Sequence, residues 1–300
     1  MTALALCAGL PGLTAHQHGE RLTLATADFA AELSFAGGQL LGYAPTGQRP
    51  WLYLSPQARF AAGKAIRGGV PLCWPWFGAH PDDPGQPAHG VARTAPWRLD
   101  DARLDAGVLA LQLSGPHHGG LAAMLTLELG PAGFALTLAT SNGGTAPVRF
   151  SQALHSYFAV GDCREVTLSG LEAAGYDDKV DGGRHPASGA PLRFTGETDR
   201  IYYPAPDAVL RLADPQWQRV LTLAAQGSGS SVVWNPWVDK AAALADLPDD
   251  AWPRFVCVET ANAGDDARVL APGATQRLGV RVSAGTFDPC SNAPRPVDAV

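Results

Sequence analysis

Dense runs of positive charge are missing from this sequence. Twenty-two Lys and Arg stand against 28 Asp and Glu, for a formal net charge of −6, so a nucleic-acid backbone is not an expected partner. An anionic small ligand would have to be held by a few placed cations rather than by the field of the whole molecule. Cysteine is scarce and scattered. Cys7, Cys73, Cys163, Cys257 and Cys290 are odd in number and contain no Cys-x-x-Cys pair, which argues against a disulfide framework and a structural zinc site and fits a reducing compartment. No apolar stretch reaches the ~20 residues of a membrane-spanning helix. Lys and Arg are also absent before Arg21, so the positive region of a secretory signal is lacking. A soluble, cytoplasmic chain with no membrane partner, and a monomer, is the expectation.

Other signatures are missing too. Strands and helices do not alternate as in βαβ units, no Gly-rich phosphate loop opens a helix, and no segment repeats at a fixed period, which disfavours Rossmann and P-loop chemistry. A Gly-x-Ser-x-Gly elbow is lacking, leaving serine hydrolysis without its usual mark. His16 and His18, and likewise His117 and His118, have no carboxylate or cysteine company, so no metal is assigned.

What the sequence does contain is punctuation. Thirty-four Gly and 25 Pro separate short alternating apolar runs, as in Leu22 to Ala27, Glu32 to Phe35, Val108 to Leu113 and Met124 to Leu129. The last is followed by Gly130-Pro131-Ala132-Gly133 and then Phe134 to Thr140, a hairpin pattern. Further strands are read at Phe150 to Val160, Val166 to Leu168, Val209 to Leu212, Val220 to Ala224, Ser231 to Trp234, Arg254 to Glu259 and Arg277 to Val282. The one persuasive helix is Lys240 to Leu247, Ala-rich and closed by Pro248. This is the pattern of an all-β fold, a β-sandwich or barrel, with few short helices. No linker divides the chain, so a single domain over residues 1–300 is expected.

Four segments can carry chemistry. Ile66 to Gly78 places Arg67 before a Gly pair and sets Trp74, Trp76 and Phe77 among prolines, a stiff aromatic wall suited to a sugar face, though an aromatic core turn reads the same. His89-Gly90-Val91-Ala92-Arg93 offers an imidazole and a guanidinium fork for phosphate or carboxylate, or a plain surface pair. In Ser151 to Phe158, strand geometry groups His155 with small and polar residues, leaving room beside a side chain that exchanges protons near neutrality. In Arg254 to Asn262, Glu259 shares a face with Phe255 and Cys257, a setting that raises a carboxylate towards a useful base, unless the strand end is solvated. Asp199 and Lys240 add polar groups beside aromatics. A two-carboxylate glycosidase also stays open, because paired acids need only meet in space.

Together these segments resemble the hexose-6-phosphate branch of the aldose 1-epimerase family. The resemblance rests on Ile66 to Gly78, His89 to Arg93, Leu154 to Asp162, Glu197 to Tyr202, Val233 to Lys240 and Val256 to Glu259, in this order along the chain. It implies a large antiparallel β-sandwich of the galactose-mutarotase type and cofactor-free interconversion of the anomers of a sugar phosphate. It further implies that His155 is the general acid on the ring oxygen and Glu259 the general base on the C1 hydroxyl. His89 and Asp199 match sugar contacts, with Trp76 and Phe77 as the aromatic wall. Arg67 and Arg93 match phosphate-binding cations, and Lys240 is a weaker candidate for that work. The sequence departs from the branch at Thr94, where asparagine is common, and at Val91, where an aromatic is frequent. The proposed chemistry needs Glu259 ionised and His155 at least partly protonated at neutral pH. Two alternatives accompany this reading: a mutarotase for free sugars, and a non-catalytic carbohydrate-binding protein.

Overall fold

The computed structural model describes residues 2–287; Cys290 lies outside them. Two large antiparallel sheets form the sandwich. The nine-stranded sheet runs in the spatial order Leu192–Arg193, Thr167–Ser169, Val209–Asp214, Arg219–Gln226, Thr275–Thr286, Gly133–Asn142, Leu121–Gly130, Val108–His118 and Arg98–Asp105. The eight-stranded sheet runs Arg184–His185, Tyr176–Asp178, Thr198–Tyr202, Ser230–Asn235, Phe255–Asn262, Gln152–Leu154 and Leu72–Cys73, with Tyr157–Ala159 also paired to Phe255–Asn262. A four-stranded meander from Thr14 to Pro45 covers one end.

Alternation along the strands decides what each sheet face does. Val256 and Val258 point inward with Val233, Leu154 and Phe158, and share one buried apolar cluster with Leu136, Leu138, Leu278 and Val280 of the other sheet. Phe255, Cys257 and Glu259, one residue out of phase, are left on the opposite face. The hairpin expected around Gly130 to Gly133 is present, Leu121–Gly130 pairing with Gly133–Asn142. Gly133 has φ +140°, and a Cβ there would lie 2.0 Å from the Val282 carbonyl oxygen, so no other residue fits this turn.

Two expectations need correction. The helix spans Trp237–Ala242 rather than Lys240 to Leu247. Asn235 explains the earlier start, its Oδ1 accepting from the Trp237 N–H at 2.9 Å, while Leu244 and Leu247 close successive tight turns instead. The run Phe150 to Val160 is not one strand but Val148–Phe150, Gln152–Leu154 and Tyr157–Ala159. The break falls at His155 and Ser156.

Candidate active site

The break in that run builds the site. On either side of it the antiparallel register is the same, Leu154 opposite Thr260 and Tyr157 opposite Cys257, so His155 falls opposite Glu259. Between them the backbone is pinched into a tight turn, Ser156 N–H donating to Leu154 O at 2.9 Å, while His155 N–H to Pro71 O at 3.0 Å and Val258 N–H to Ser156 O at 3.1 Å keep the pairing in step. The two side chains therefore meet as cross-strand neighbours, with His155 Nδ1 3.3 Å from Glu259 Oε1. Only 11% of the His155 side chain and 1% of the Glu259 side chain are exposed. The pair is close but not aligned as a hydrogen bond; among the described residues neither His155 Nδ1 nor Glu259 Oε2 has a hydrogen-bond partner. Buried polar atoms left this way cost about 1 to 3 kcal/mol each, a cost that packing does not explain.

Aromatic rings fix the orientation. Tyr157 lies face to face with His155, 4.9 Å between centroids and 8° between planes, and Trp234 presents an edge at 6.1 Å. His89 approaches from the loop beyond Trp76, its ring 6.0 Å from that of His155. Its Nδ1 accepts the Gly78 N–H at 3.3 Å, which puts the ring proton on Nε2. His89 itself adopts φ +65°. Its neighbour Gly90, at φ +76°, lies so near Trp74 that a Cβ would sit 2.0 Å from the Trp74 carbonyl oxygen.

The cations divide into two groups. Arg67 is half-buried between Asp246, 3.1 Å from its Nε, and the Tyr157 hydroxyl, 3.1 Å from its Nη1. Burial works against its charge, but Tyr157 and Asp246 more than offset it, and the guanidinium stays firmly charged. Arg93, on the short turn Ala92–Thr94, donates from Nη2 to Ala88 O at 2.6 Å, and its field reaches His89, His155 and Glu259. The Lys240 Nζ pairs with Glu197 at 2.7 Å, and its charge acts on Asp199. Trp76 does not join the wall around His155. It packs against His80 and His118 and donates from Nε1 to Pro87 O. Phe77 does face the site, packing against the small buried cluster of Cys73, Ala153, Ile201, Val232, Ala261 and Ala263 and meeting His89 edge-on at 5.0 Å.

Burial dominates the electrostatics. Loss of water pushes the Glu259 carboxyl well above its ordinary value, with Lys179 and Arg93 pulling it back and Asp199 adding to the rise. Burial and then His89, Arg93 and Arg67 push His155 well below 6.5. His89 falls to about 3, for burial first and its cationic neighbours second. Burial thus works against both charges of the expected chemistry, an ionised Glu259 and a protonated His155, and shifts the pair towards carboxylic acid and neutral imidazole. The shift moves a proton without removing one, since acid plus imidazole and carboxylate plus imidazolium hold the same single proton. Elsewhere, Asp178, Asp181 and His185 bring their ligand atoms within 4.8 Å of one another, but Arg200 already bonds Asp178 at 2.8 Å.

A sequence profile described as Aldose 1-epimerase matches residues 20–283, nearly the whole chain. The chain belongs to the aldose 1-epimerase family. An Escherichia coli (strain K12) protein named "Putative glucose-6-phosphate 1-epimerase" is 34% identical over 247 residues, covering 80% of this chain and 82% of that one. A Cenchrus ciliaris protein of the same name is 32% identical over 281 residues, 87% and 83% of the two chains. A Salmonella typhimurium crystal structure, described as a "putative mutarotase", superposes with a TM-score of 0.82 at 28% identity, over 93% of this chain and 95% of that one. The aldose 1-epimerase fold accounts for the sandwich, and this chain's own sequence for the details at the mouth of the site. Tyr157, Asp246 and Lys179 escaped the sequence reading as site residues. Tyr157 had a signal, two positions from His155 on the same face. Asp246 sits in an Ala-rich stretch and Lys179 in an acidic loop, and only the fold brings them near.

Proposed function

We propose that this protein is a hexose-6-phosphate mutarotase, interconverting the α and β anomers of glucose 6-phosphate by acid and base catalysis. One observation carries the reading: Glu259 and His155, both buried, face each other at 3.3 Å on the open side of the sheet, with charged Arg67 bonded to the tyrosine that stacks on His155. The names of the E. coli and Cenchrus relatives support the same substrate.

In the working form the shared proton sits on His155. Glu259 removes the proton of the C1 hydroxyl while His155 protonates the ring oxygen, and the hemiacetal opens. The pair is then acid and neutral imidazole, the arrangement that burial favours, so the field of the protein helps the opening step. Rotation about the bond from C1 to C2 presents the other carbonyl face, and reversal of both transfers closes the ring. The pair's net charge is zero throughout, which suits a site poor in water. His89, with its proton on Nε2, and Asp199 hold sugar hydroxyls beside Phe77. Arg67 and Arg93 hold the phosphate, their fixed charge and forked donors matching its oxygens. A diffusible sugar phosphate also suits a cytoplasmic monomer with no membrane or nucleic-acid partner; no helix among the described residues is long and apolar enough to cross a membrane.

Exchange between the anomers of glucose 6-phosphate, followed by NMR, tests the assignment. Glu259→Gln and His155→Asn are each expected to lower turnover by ~10² to 10⁴-fold, the usual worth of a placed acid or base. Near-normal turnover in Glu259→Gln contradicts it. Replacing Arg67 and Arg93 together by Met is expected to weaken the phosphorylated sugar strongly while leaving any activity on free glucose nearly unchanged; equal losses on both would contradict their role in holding the phosphate.

A further inference from the structure

Lys179 lies just past the strand Tyr176–Asp178, tied in by its backbone N–H to Asp199 O at 2.8 Å. Its side chain is set over the site by two contacts. The Nζ stands 4.5 Å above the centre of the Phe77 ring and 3.9 Å from Asp199 Oδ1. Phe77 in turn packs against the small buried cluster that holds Val232 and Ile201, and Val232 is the direct cross-strand partner of Glu259, with Ile201 next in the same row. The ammonium group is thus mounted on an aromatic face beside the row that ends in the buried carboxyl. The pairing with Asp199 is loose, at 3.9 Å. Lys240, by contrast, is paired with Glu197 at 2.7 Å.

We propose that Lys179 is a positioning residue for the reaction: it acts through Glu259, favouring the carboxylate that accepts the C1 proton, and does not itself hold the phosphate. This inference rests on Glu259 being the base. The other groups facing that carboxyl come from every element around it. His155 and Tyr157 stand on the broken strand, Cys257 on its own strand and Cys73 on Leu72–Cys73; His89 and Arg93 come from the loop, Asp199 from Thr198–Tyr202, and Arg67 lies beyond Tyr157. Arg93 joins Lys179 in favouring the charged form of Glu259, whereas Asp199 opposes it. Arg93 is bonded to a backbone carbonyl and is assigned to the phosphate. Lys179 is therefore the cation left to tune the base.

The test is the pH profile of kcat and kcat/KM for anomer exchange in the wild-type protein, Lys179→Met, Lys179→Arg and Glu259→Gln. The acid limb of Lys179→Met is expected to move up by roughly 1 pH unit, the lower end of what a neighbouring opposite charge produces, with Lys179→Arg restoring it. The titration of the phosphate is common to all variants and cancels in the comparison. With 38% of its side chain exposed, Lys179 can be replaced without opening the core. Should Lys179→Met nevertheless lose turnover altogether, a ¹³C NMR titration of the Glu259 carboxyl in the same protein reads the shift directly. An unshifted limb with a raised KM confined to the phosphorylated sugar overturns the proposal and makes Lys179 a phosphate contact. Near-normal turnover in Glu259→Gln overturns the base assignment instead, a distinct result.

Discussion

A carboxyl group with 1% of its side chain exposed sets a conflict between stability and chemistry at Glu259. Its folded pKa lies well above the ordinary 4.5, burial being the main cause. The folded protein therefore keeps a proton there that the unfolded chain gives up above about pH 4.5, and the stability this group contributes is full below that pH and declines as pH rises. Glutamine does not titrate. Glu259→Gln is accordingly expected to be more stable than the parent at pH 8, with the gain shrinking towards pH 4, as read from thermal unfolding across that range; a gain independent of pH would contradict the assignment of the shift. His155 has the opposite sign. Its folded pKa is depressed below 6.5, so its contribution is full above that value and is lost as pH falls, and His155→Asn should lessen the loss of stability on acidification.

At the scale of elements, the site depends on a loop held to close tolerance. Gly90 permits the turn that aims His89, and its missing side chain leaves room for the Trp74 carbonyl. Gly90→Ala is expected to displace His89, raising KM for glucose 6-phosphate and lowering Tm, measurable by anomer exchange and calorimetry; an unchanged KM would show that His89 does not touch the sugar. The elements of this fold were legible in the sequence where alternation was clean, as at Met124 to Leu129 and Phe134 to Thr140. Arg98–Asp105 was not read as a strand because its polar positions carry Arg98, Asp100, Asp101 and Arg103. It is the outermost strand of the nine-stranded sheet, and charge on an edge strand discourages pairing with another chain, so local sequence hides what the sheet makes plain. The break at His155 was equally invisible, because it comes from the Ser156 N–H turning back to the Leu154 carbonyl, a backbone bond that no apolar pattern marks. His155, Glu259, His89, Arg67 and Arg93 were legible through their motifs. Lys179 and Asp246 were not, since neither lies in an apolar pattern that would mark a wall of the cleft.

Across the whole molecule, the end meander and both large sheets share one buried cluster. Leu22, Leu33 and Tyr43 belong to it with Leu136 and Val258, and Tyr43 meets Phe134 edge-on at 5.2 Å. We propose on this ground that the chain folds as a single domain, for which tryptophan fluorescence and far-ultraviolet circular dichroism should report coincident unfolding transitions; two separated transitions would divide it. A rigid sandwich of this kind supplies the site with fixed neighbours, so that a buried acid and imidazole meet at 3.3 Å. The central claim is that this fixed pair, with its arginines, works on a phosphorylated hexose. Magnetisation-exchange NMR on the anomers of glucose 6-phosphate, with and without the wild-type protein and with free glucose and galactose alongside, tests it most directly. Acceleration confined to the phosphorylated sugar is the predicted result, and no acceleration of any of the three would contradict the account.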